Sequence, residues 1–144
     1  MVNTHRILLK NIMIKDPRTI DIDESFSKVW EIFKEYDIRH LPVIDNNKIL
    51  RGIITQRDLF RIASPRITLE GELIYNKLDL DRHILKYVMT KEVFSLSADD
   101  TLGSIIKAMI YKKYGCIPIV DNNKFLVGII TQIDVFRAIV EYFA

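Results

Sequence analysis

The apolar positions of the chain follow a helical spacing in two separate segments. From residue 26 and again from residue 102, apolar side chains recur every three or four positions, which is the spacing of one face of an amphipathic helix. The positions are Phe26, Val29, Trp30, Phe33 and Tyr36, and then Leu102, Ile105, Ile106, Met109 and Ile110. Polar side chains from Asp23 to Ser25 can cap the first helix. The pattern therefore predicts one amphipathic helix in each half of the chain.

Two β-rich runs follow the first predicted helix. "LPVID" and "LRGIIT" lie on either side of Asn46-Asn47-Lys48, and asparagine tolerates the left-handed conformation that a tight turn requires. We therefore expect a hairpin with an asparagine at its turn. A second helix is predicted to begin at Thr55 or Gln56. With a short β segment at Thr19 and Ile20, the order becomes β-α-β-β-α.

The same order is repeated later in the chain. "GIITQRDLFR" at 52–61 returns as "GIITQIDVFR" at 128–137, and Pro42 and "DNNK" return at the same offset of 76 residues. A repeat at a fixed offset indicates two copies of one structural unit. We predict a mixed α+β fold, with the first repeat and its N-terminal segment in 1–65, a connector in 66–85 and the second repeat in 86–144.

The final predicted helix, "QIDVFRAIVEYF", has two apolar stripes. One contains Ile133, Phe136, Val140 and Phe143, and the other contains Val135, Ile139 and Tyr142. One stripe can pack on its own sheet, whereas the other needs a further surface. That surface is either the rest of the same chain or a second copy, and we expect a homodimer.

Composition narrows the class of protein. Of the 144 residues, 49% are apolar and five are glycine, while no apolar run approaches the roughly 20 residues that span a bilayer. The 21 basic and 19 acidic side chains are interspersed and give a net charge of +2, so charge does not favour nucleic acid or membrane as the main partner. Cys116 is the only cysteine, and the N-terminus lacks a signal-peptide cleavage site. We expect a cytoplasmic protein.

A Thr-x-x-Asp motif, which occurs as Thr55 with Asp58 and as Thr131 with Asp134, has two interpretations. It matches the helix capping box, which requires no ligand. However, Gly52 and Gly128 precede the two motifs inside strands, where glycine often marks close approach by another group. A helix start with a hydroxyl also attracts anions, and an acidic residue one turn later suits the hydroxyls of a ribose. Both interpretations stay open.

These motifs resemble a known family. "IMIKDPRTIDIDESFSKVWEIF" with "IRHLPVIDNNKILRGIITQRDLFR" resembles one cystathionine-β-synthase (CBS) domain, and "YGCIPIVDNNKFLVGIITQIDVFR" resembles a second. The resemblance covers nearly the whole chain apart from the connector and the extreme termini. It implies two repeats packed by pseudo-twofold symmetry with two clefts between them, and such pairs often dimerise. Many bind AMP, ADP, ATP or S-adenosylmethionine in these clefts.

The resemblance also implies which residues contact the ligand. Asp58 or Asp134 would accept hydrogen bonds from ribose hydroxyls, and Thr55 or Thr131 would meet phosphate. The adenine would lie against the first strand and the segment before the proline. These positions are Thr19, Ile20, Leu41 and Pro42 in one site, and Ser95, Leu96, Ile117 and Pro118 in the other.

The two sites are expected to differ in charge. Arg39, His40 and Arg57 accompany the first motif, whereas Gly115, Cys116 and Ile133 occupy the matching positions of the second. Because charge-assisted contacts are about twice as strong as neutral ones, the first site suits charged phosphates better. Each cleft is lined by both repeats, however, so Arg57 could reach the other site and reverse this ranking.

We therefore expect a regulatory module that binds an adenine nucleotide and responds by changing the packing of its repeats or its dimer, which an unidentified protein would sense. The alternatives are an S-adenosylmethionine-binding pair and a ligand-free dimerisation or interaction module. An enzyme is not expected, because the sequence has no G-x-x-x-x-G-K-[ST] phosphate loop. Neither a cofactor nor a metal site is expected, because His5, His40, His83 and Cys116 lack the close spacing of metal ligands.

Overall fold

The helices and strands follow the predicted order. The computed structural model describes residues 3–143. Its strands are β1 (Ile14–Lys15), β2 (Ile20–Asp21), β3 (His40–Ile44), β4 (Leu50–Thr55), β5 (Arg66–Ile67), β6 (Leu73–Ile74), β7 (Cys116–Val120) and β8 (Leu126–Thr131). Its α-helices are α1 (Phe26–Tyr36), α2 (Gln56–Ile62), α3 (Lys77–Asp81), α4 (Leu85–Val88), α5 (Leu102–Lys112) and α6 (Gln132–Phe143). The mixed α+β class and the two repeats are confirmed, although the first strand of the second repeat is a single bridge between Leu96 and Ile119.

The chain forms two compact units, and neither is a continuous stretch of sequence. The first unit comprises Arg18–Asn46 and Arg51–Val93, and the second comprises Met1–Pro17, Asn47–Leu50 and Phe94–Ala144. Residues up to Pro17, which precede the first repeat's β2, thus belong to the second unit, and residues 86–93 at the start of the second repeat belong to the first unit. The boundaries 1–65, 66–85 and 86–144 concern the sequence repeats and stay a prediction.

The first unit is built on the sheet β2-β3-β4, in which β2 runs parallel to β3 with Ile20 opposite Val43. Helix α1 begins after Ser25, whose hydroxyl accepts from the Lys28 N–H at 3.3 Å, and ends at Asp37 in the left-handed conformation. The apolar face of α1 is buried against the sheet, as its spacing predicted. Burying each large apolar side chain contributes about 1.5–3 kcal/mol.

The segment between the repeats is more than a connector. Strands β5 and β6 form an antiparallel pair, and helix α3 is capped by Asn76, whose side chain accepts from the Asp79 N–H at 3.2 Å. Tyr75, Leu80 and Leu85 are buried in the core of the first unit. This segment therefore supplies part of that core, which its mixed sequence did not indicate.

The second unit has the sheet β1-β8-β7, in which β1 runs antiparallel to β8 with Ile14 opposite Ile129. Helix α5 is capped by Thr101, whose hydroxyl accepts from the Ser104 N–H at 3.2 Å. Its buried face packs with side chains from both ends of the chain, and the core contains Ile7, Leu9, Leu102, Ile105, Ile117, Ile130 and Val135. The N-terminal segment is thus integral to this unit.

The turns of the two hairpins correct one expectation. The left-handed residues are Lys48 (φ 62°) and Lys124 (φ 66°), not the asparagines before them. In the second turn, the Asp121 carboxylate accepts from the backbone N–H groups of Asn123 (2.9 Å) and Phe125 (3.0 Å). Because this side chain organises the turn, the residue between the two donors takes the left-handed conformation, whatever its type.

Helix α6 buries only part of its apolar surface in this chain. Val135 and Ala138 are buried in the second unit, whereas Ile133, Phe136 and Val140 are 61%, 60% and 64% exposed. Ile139 and Tyr142 of the other stripe are also exposed, at 38% and 41%, whereas Phe143 packs against the core. Both predicted stripes thus keep exposed members, and the homodimer that would cover them stays a prediction. None of the helices in the described part of the chain is long and apolar enough to cross a membrane.

Candidate functional site

The two Thr-x-x-Asp motifs adopt the same hydrogen-bonded geometry. In the first unit, the Thr55 N–H and hydroxyl donate to Oδ2 of Asp58 at 2.8 and 3.2 Å. In the second, the Thr131 N–H and hydroxyl donate to Oδ2 of Asp134 at 2.8 and 2.9 Å. Both motifs cap the helix that follows, so the capping interpretation is correct. It does not exclude a ligand at the same residues.

The second oxygen of each carboxylate contacts an arginine one turn further along. Oδ1 of Asp58 lies 2.7 Å from Nη2 of Arg61, and Oδ1 of Asp134 lies 3.3 Å from Nη1 of Arg137. The aspartates are only 6% and 5% exposed. An ionised carboxylate offers about four acceptor positions, so Oδ1 can accept a further donor while Oδ2 keeps the cap. Both roles are therefore chemically compatible.

Sequence reasoning missed these arginines, although a signal for them was present. Arg61 and Arg137 are the last residues of the two matching decapeptides, and each follows its aspartate by three positions. On a helix this spacing puts the two side chains on one face. Arg61 also donates to the Val88 carbonyl at 3.3 Å, so in the first unit the carboxylate is connected to the end of α4.

The two strand glycines are explained by the protein itself. A Cβ on Gly52 would lie 2.6 Å from Sδ of Met89 and 2.7 Å from the Thr90 carbonyl oxygen. A Cβ on Gly128 would lie 2.6 Å from Sδ of Met13 and 3.0 Å from the Ile14 carbonyl oxygen. The close approach that glycine indicated is made by these chain segments. The glycines therefore no longer count in favour of a ligand.

The structure brings the first strand, the segment before the proline and the helix start together in each unit. In the first unit, β2 lies beside β3, and the Gln56 N–H donates to the Arg39 carbonyl at 3.1 Å. In the second, the Leu96 N–H donates to the Pro118 carbonyl at 3.1 Å, and the Gln132 N–H donates to the Gly115 carbonyl at 3.2 Å. The predicted residues therefore cluster within each unit.

Burial limits what some of these residues can offer a ligand. Thr19, Ser95 and Leu96 are half-buried, but Ile20, Leu41, Pro42, Ile117 and Pro118 are buried. The Leu41 and Ile117 side chains are fully enclosed in the two cores. A ligand would meet these two positions through backbone groups, while the half-buried side chains could contact it directly.

The difference in charge between the two sites has a structural counterpart. Arg39 and Arg57 are exposed, while Cys116 is buried opposite Thr131 in the β7–β8 pair. Burial lowers the pKa of His40 from 6.5, and the charge of Arg39 lowers it further. His40 is therefore mainly neutral at pH 7, which leaves the arginines as the cationic groups of the first site.

The pKa of the Cys116 thiol is raised to about 12 by burial, with a smaller contribution from the charge of Asp134. A thiol with this pKa is protonated at neutral pH and is a poor nucleophile. In residues 3–143, no three His, Cys, Asp or Glu side chains are grouped so that they could hold a metal ion.

The sequence profile of the CBS domain family matches two stretches of the chain, residues 9–64 and 84–141. This chain belongs to the CBS domain family. The two matches carry the two Thr-Asp motifs, so the chain is a CBS domain pair.

Relatives of this CBS domain pair fall into two groups. A CBS domain-containing protein from Dictyostelium discoideum is 29% identical over 94% of this chain and 93% of its own length. A homoserine O-acetyltransferase from Methanococcus vannielii is 28% identical over 92% of this chain but only 25% of its own length. The chain therefore spans about a quarter of that enzyme.

Two solved structures share the fold. The CBS domain pair of protein MJ0100, in complex with 5′-methylthioadenosine and S-adenosyl-L-methionine, is 25% identical with a TM-score of 0.75, and the match covers 93% of this chain and 96% of the other. CBSX2, in complex with AMP, is 22% identical with a TM-score of 0.78, covering 94% and 97%. Both confirm that this CBS domain pair has the expected fold.

Proposed function

We propose that this CBS domain pair is a regulatory module that binds an adenosine-containing small molecule at its Thr-Asp motifs. The observation that carries the proposal is a buried carboxylate in each unit, held at a helix start beside the segment before the proline. The adenosine compounds bound by the MJ0100 pair support it. No catalytic step is assigned to any residue.

The hydrogen bonds within each motif indicate how the ligand is held. Oδ2 of each aspartate is fixed by the cap, so the carboxylate is already oriented before a ligand arrives. Oδ1 then accepts from the ribose hydroxyls, sharing the oxygen with Arg61 or Arg137. Groups that are ordered in advance lose little conformational entropy on binding. The Thr55 and Thr131 hydroxyls meet the phosphate or its equivalent.

The two sites suit different adenosine compounds. Arg39 and Arg57 favour the phosphates of AMP, ADP or ATP at the first motif, because these cations are exposed and available. The second motif has Cys116 and Ile133 at the matching positions, and their lack of charge suits S-adenosylmethionine better. We therefore assign AMP, ADP or ATP to the first site, and S-adenosylmethionine is the alternative ligand, which the second site suits better.

In this proposal, ligand binding regulates a partner by changing how the protein packs. A ligand shifts the equilibrium between two packing states only by its differential affinity for them, typically about 1–3 kcal/mol. We place the change in the packing of the repeats or of a homodimer formed through the exposed stripe of α6, with an unidentified protein as the receiver. A cytoplasmic location is part of the same proposal.

A thermal-shift panel tests the ligand class. AMP, ADP, ATP, GTP, 5′-methylthioadenosine and S-adenosylmethionine are each added, and a ligand at 100 times its Kd should stabilise the protein by about 2.7 kcal/mol. Asp58→Asn and Asp134→Asn keep one oxygen for the cap but remove the charge. We expect each to weaken binding at its own site about tenfold. Because the amide also loses the ion pair with Arg61 or Arg137, the Tm of each variant without ligand is the reference for its ligand shift. Unchanged affinity in both variants would show that the aspartates only cap helices.

The second candidate function is a protein-interaction module without a ligand. The observation in its favour is the exposed stripe of Ile133, Phe136 and Val140 on α6, together with caps that are complete without a ligand. If no compound shifts Tm at millimolar concentration while Phe136→Asp converts a dimer to a monomer in sedimentation velocity, this function replaces the first.

A further inference from the structure

The first unit contains a cavity that none of the predicted ligand residues lines. It has a volume of about 480 Å³ and lies between α1, α2 and strand β6, and pockets of roughly 300–1,000 Å³ accommodate small molecules. Its lining includes Trp30, Phe60 and Tyr75 together with Lys34, Asp37 and Glu72. Tyr75 comes from the segment between the repeats.

Three aromatic rings surround this cavity. The Trp30 and Tyr75 rings meet edge to face with centroids 5.7 Å apart, and the Phe60 and Tyr75 rings are tilted at 6.2 Å. Nζ of Lys34 lies 4.2 Å from the centre of the Trp30 ring. The indole face thus already attracts a cation from the protein itself, as cation–π attraction predicts.

The charged groups at the cavity add a second preference for a cation. Asp37 and Glu72 are both exposed, and neither carboxylate forms an ion pair within residues 3–143. Lys34 is the only basic residue in the lining. If its flexible side chain turns into solvent, the aromatic walls are left with two negative charges beside them.

We propose that this cavity binds a small organic cation with an ammonium group, which displaces the Lys34 amine from the Trp30 face. The ammonium lies against the aromatic rings, and Asp37 and Glu72 supply the opposite charge. Binding here is independent of the Thr-Asp motifs and therefore goes beyond the nucleotide proposal. The ligand also contacts the segment between the repeats, because β6 forms one wall of the cavity.

Fluorescence offers a direct test, because Trp30 is the only tryptophan of the chain. Benzyltrimethylammonium is titrated into the full chain at constant ionic strength, and phenylacetate serves as a probe of opposite charge. We expect a saturable change in Trp30 emission with the cation at millimolar concentration and a weaker response to phenylacetate.

Substitutions then identify the groups that bind the probe. The double substitution Asp37→Asn with Glu72→Gln should weaken binding of the cation about two- to fivefold for each charge removed, as expected for exposed electrostatic contacts. Lys34→Met removes the competing amine and should strengthen binding by a similar factor. Phe60→Leu should weaken it, whereas Phe136→Leu, the matching change in the second repeat, should have no effect.

Any one of four results would contradict the proposal. Emission that does not saturate up to roughly 50 mM probe would show that the cavity does not bind the cation. Tighter binding of phenylacetate than of the cation would show that the cavity prefers anions, with the Lys34 amine as the binding group. Loss of cation affinity in Lys34→Met would show that the Lys34 amine does not compete with the cation for the Trp30 ring. Unchanged affinity after the double carboxylate substitution would remove the electrostatic argument.

Discussion

Replacing Gly52 with alanine tests how tightly the segment before the second repeat is held in the first unit. The new Cβ would lie 2.6 Å from Sδ of Met89 and 2.7 Å from the Thr90 carbonyl oxygen. The sulfur belongs to a flexible side chain and can move. The carbonyl cannot move freely, because Thr90 exchanges backbone hydrogen bonds of 3.0 and 3.1 Å with Ile53.

The expected cost follows from these contacts. Overpacking a well-packed site costs about 1–3 kcal/mol, and weakening one backbone hydrogen bond costs about 1 kcal/mol more. Alanine recovers about 0.5–1 kcal/mol because glycine loses more conformational freedom on folding. Gly52→Ala should therefore destabilise the first unit by about 2 kcal/mol. Gly128→Ala should cost about half as much, because the nearest carbonyl, that of Ile14, lies 3.0 Å away.

Urea unfolding measures both variants. Trp30 lies in the first unit and its fluorescence reports on that unit, whereas circular dichroism reports on both. With a slope of roughly 1–3 kcal/mol per molar urea, 2 kcal/mol shifts the midpoint by about 1 M. A loss of less than 0.5 kcal/mol in Gly52→Ala, or a greater loss in Gly128→Ala, would show that the clash is relieved in some other way and would refute the reasoning.

Three further predictions concern single groups. Asp81→Ala removes the acceptor of the Ser27 N–H and hydroxyl, both at 3.0 Å, and should cost about 1–3 kcal/mol in urea unfolding; wild-type stability would contradict this. Because burial and the Arg39 charge lower the pKa of His40 below its unfolded value of 6.5, the unfolded chain binds the proton more readily. Stability should therefore fall as pH drops from 6.5 toward the lowered pKa, and less so in His40→Gln. Cys116, whose pKa is raised to about 12, should react with a thiol reagent only in urea; rapid reaction of the native protein would contradict its burial.

Short-range features of this protein could be predicted from the sequence because they depend on neighbouring residues. The apolar spacing gave the positions of α1 and α5, and the polar residue before each helix, Ser25 or Thr101, is the observed cap. The Thr-x-x-Asp pattern likewise gave the capping geometry of α2. These are local interactions within four residues, for which sequence spacing carries most of the information.

Features that depend on distant partners were missed. Gly52 and Gly128 correctly indicated a close approach, but the partner is Met89 or Met13 and not a ligand, and no spacing within the decapeptide could reveal this. Tyr75 and Leu80 are buried because they pack in the core beside α1, although the sequence around them has no strong periodicity. For the candidate site, the clustering of residues was predictable, whereas the shared use of Oδ1 by Arg61 required coordinates.

The composition of the second unit has a consequence for biosynthesis. In its described part, the N-terminal segment up to Pro17 packs with residues 94–143, and Ile7 and Leu9 are buried in their shared core. The ribosome therefore releases Leu9 and its neighbours roughly 75 residues before their partners, which is several seconds at about 5–20 residues per second. During that interval the segment presents apolar side chains without a core. This part of the fold is therefore completed only after α5, β7, β8 and α6 have emerged from the ribosome.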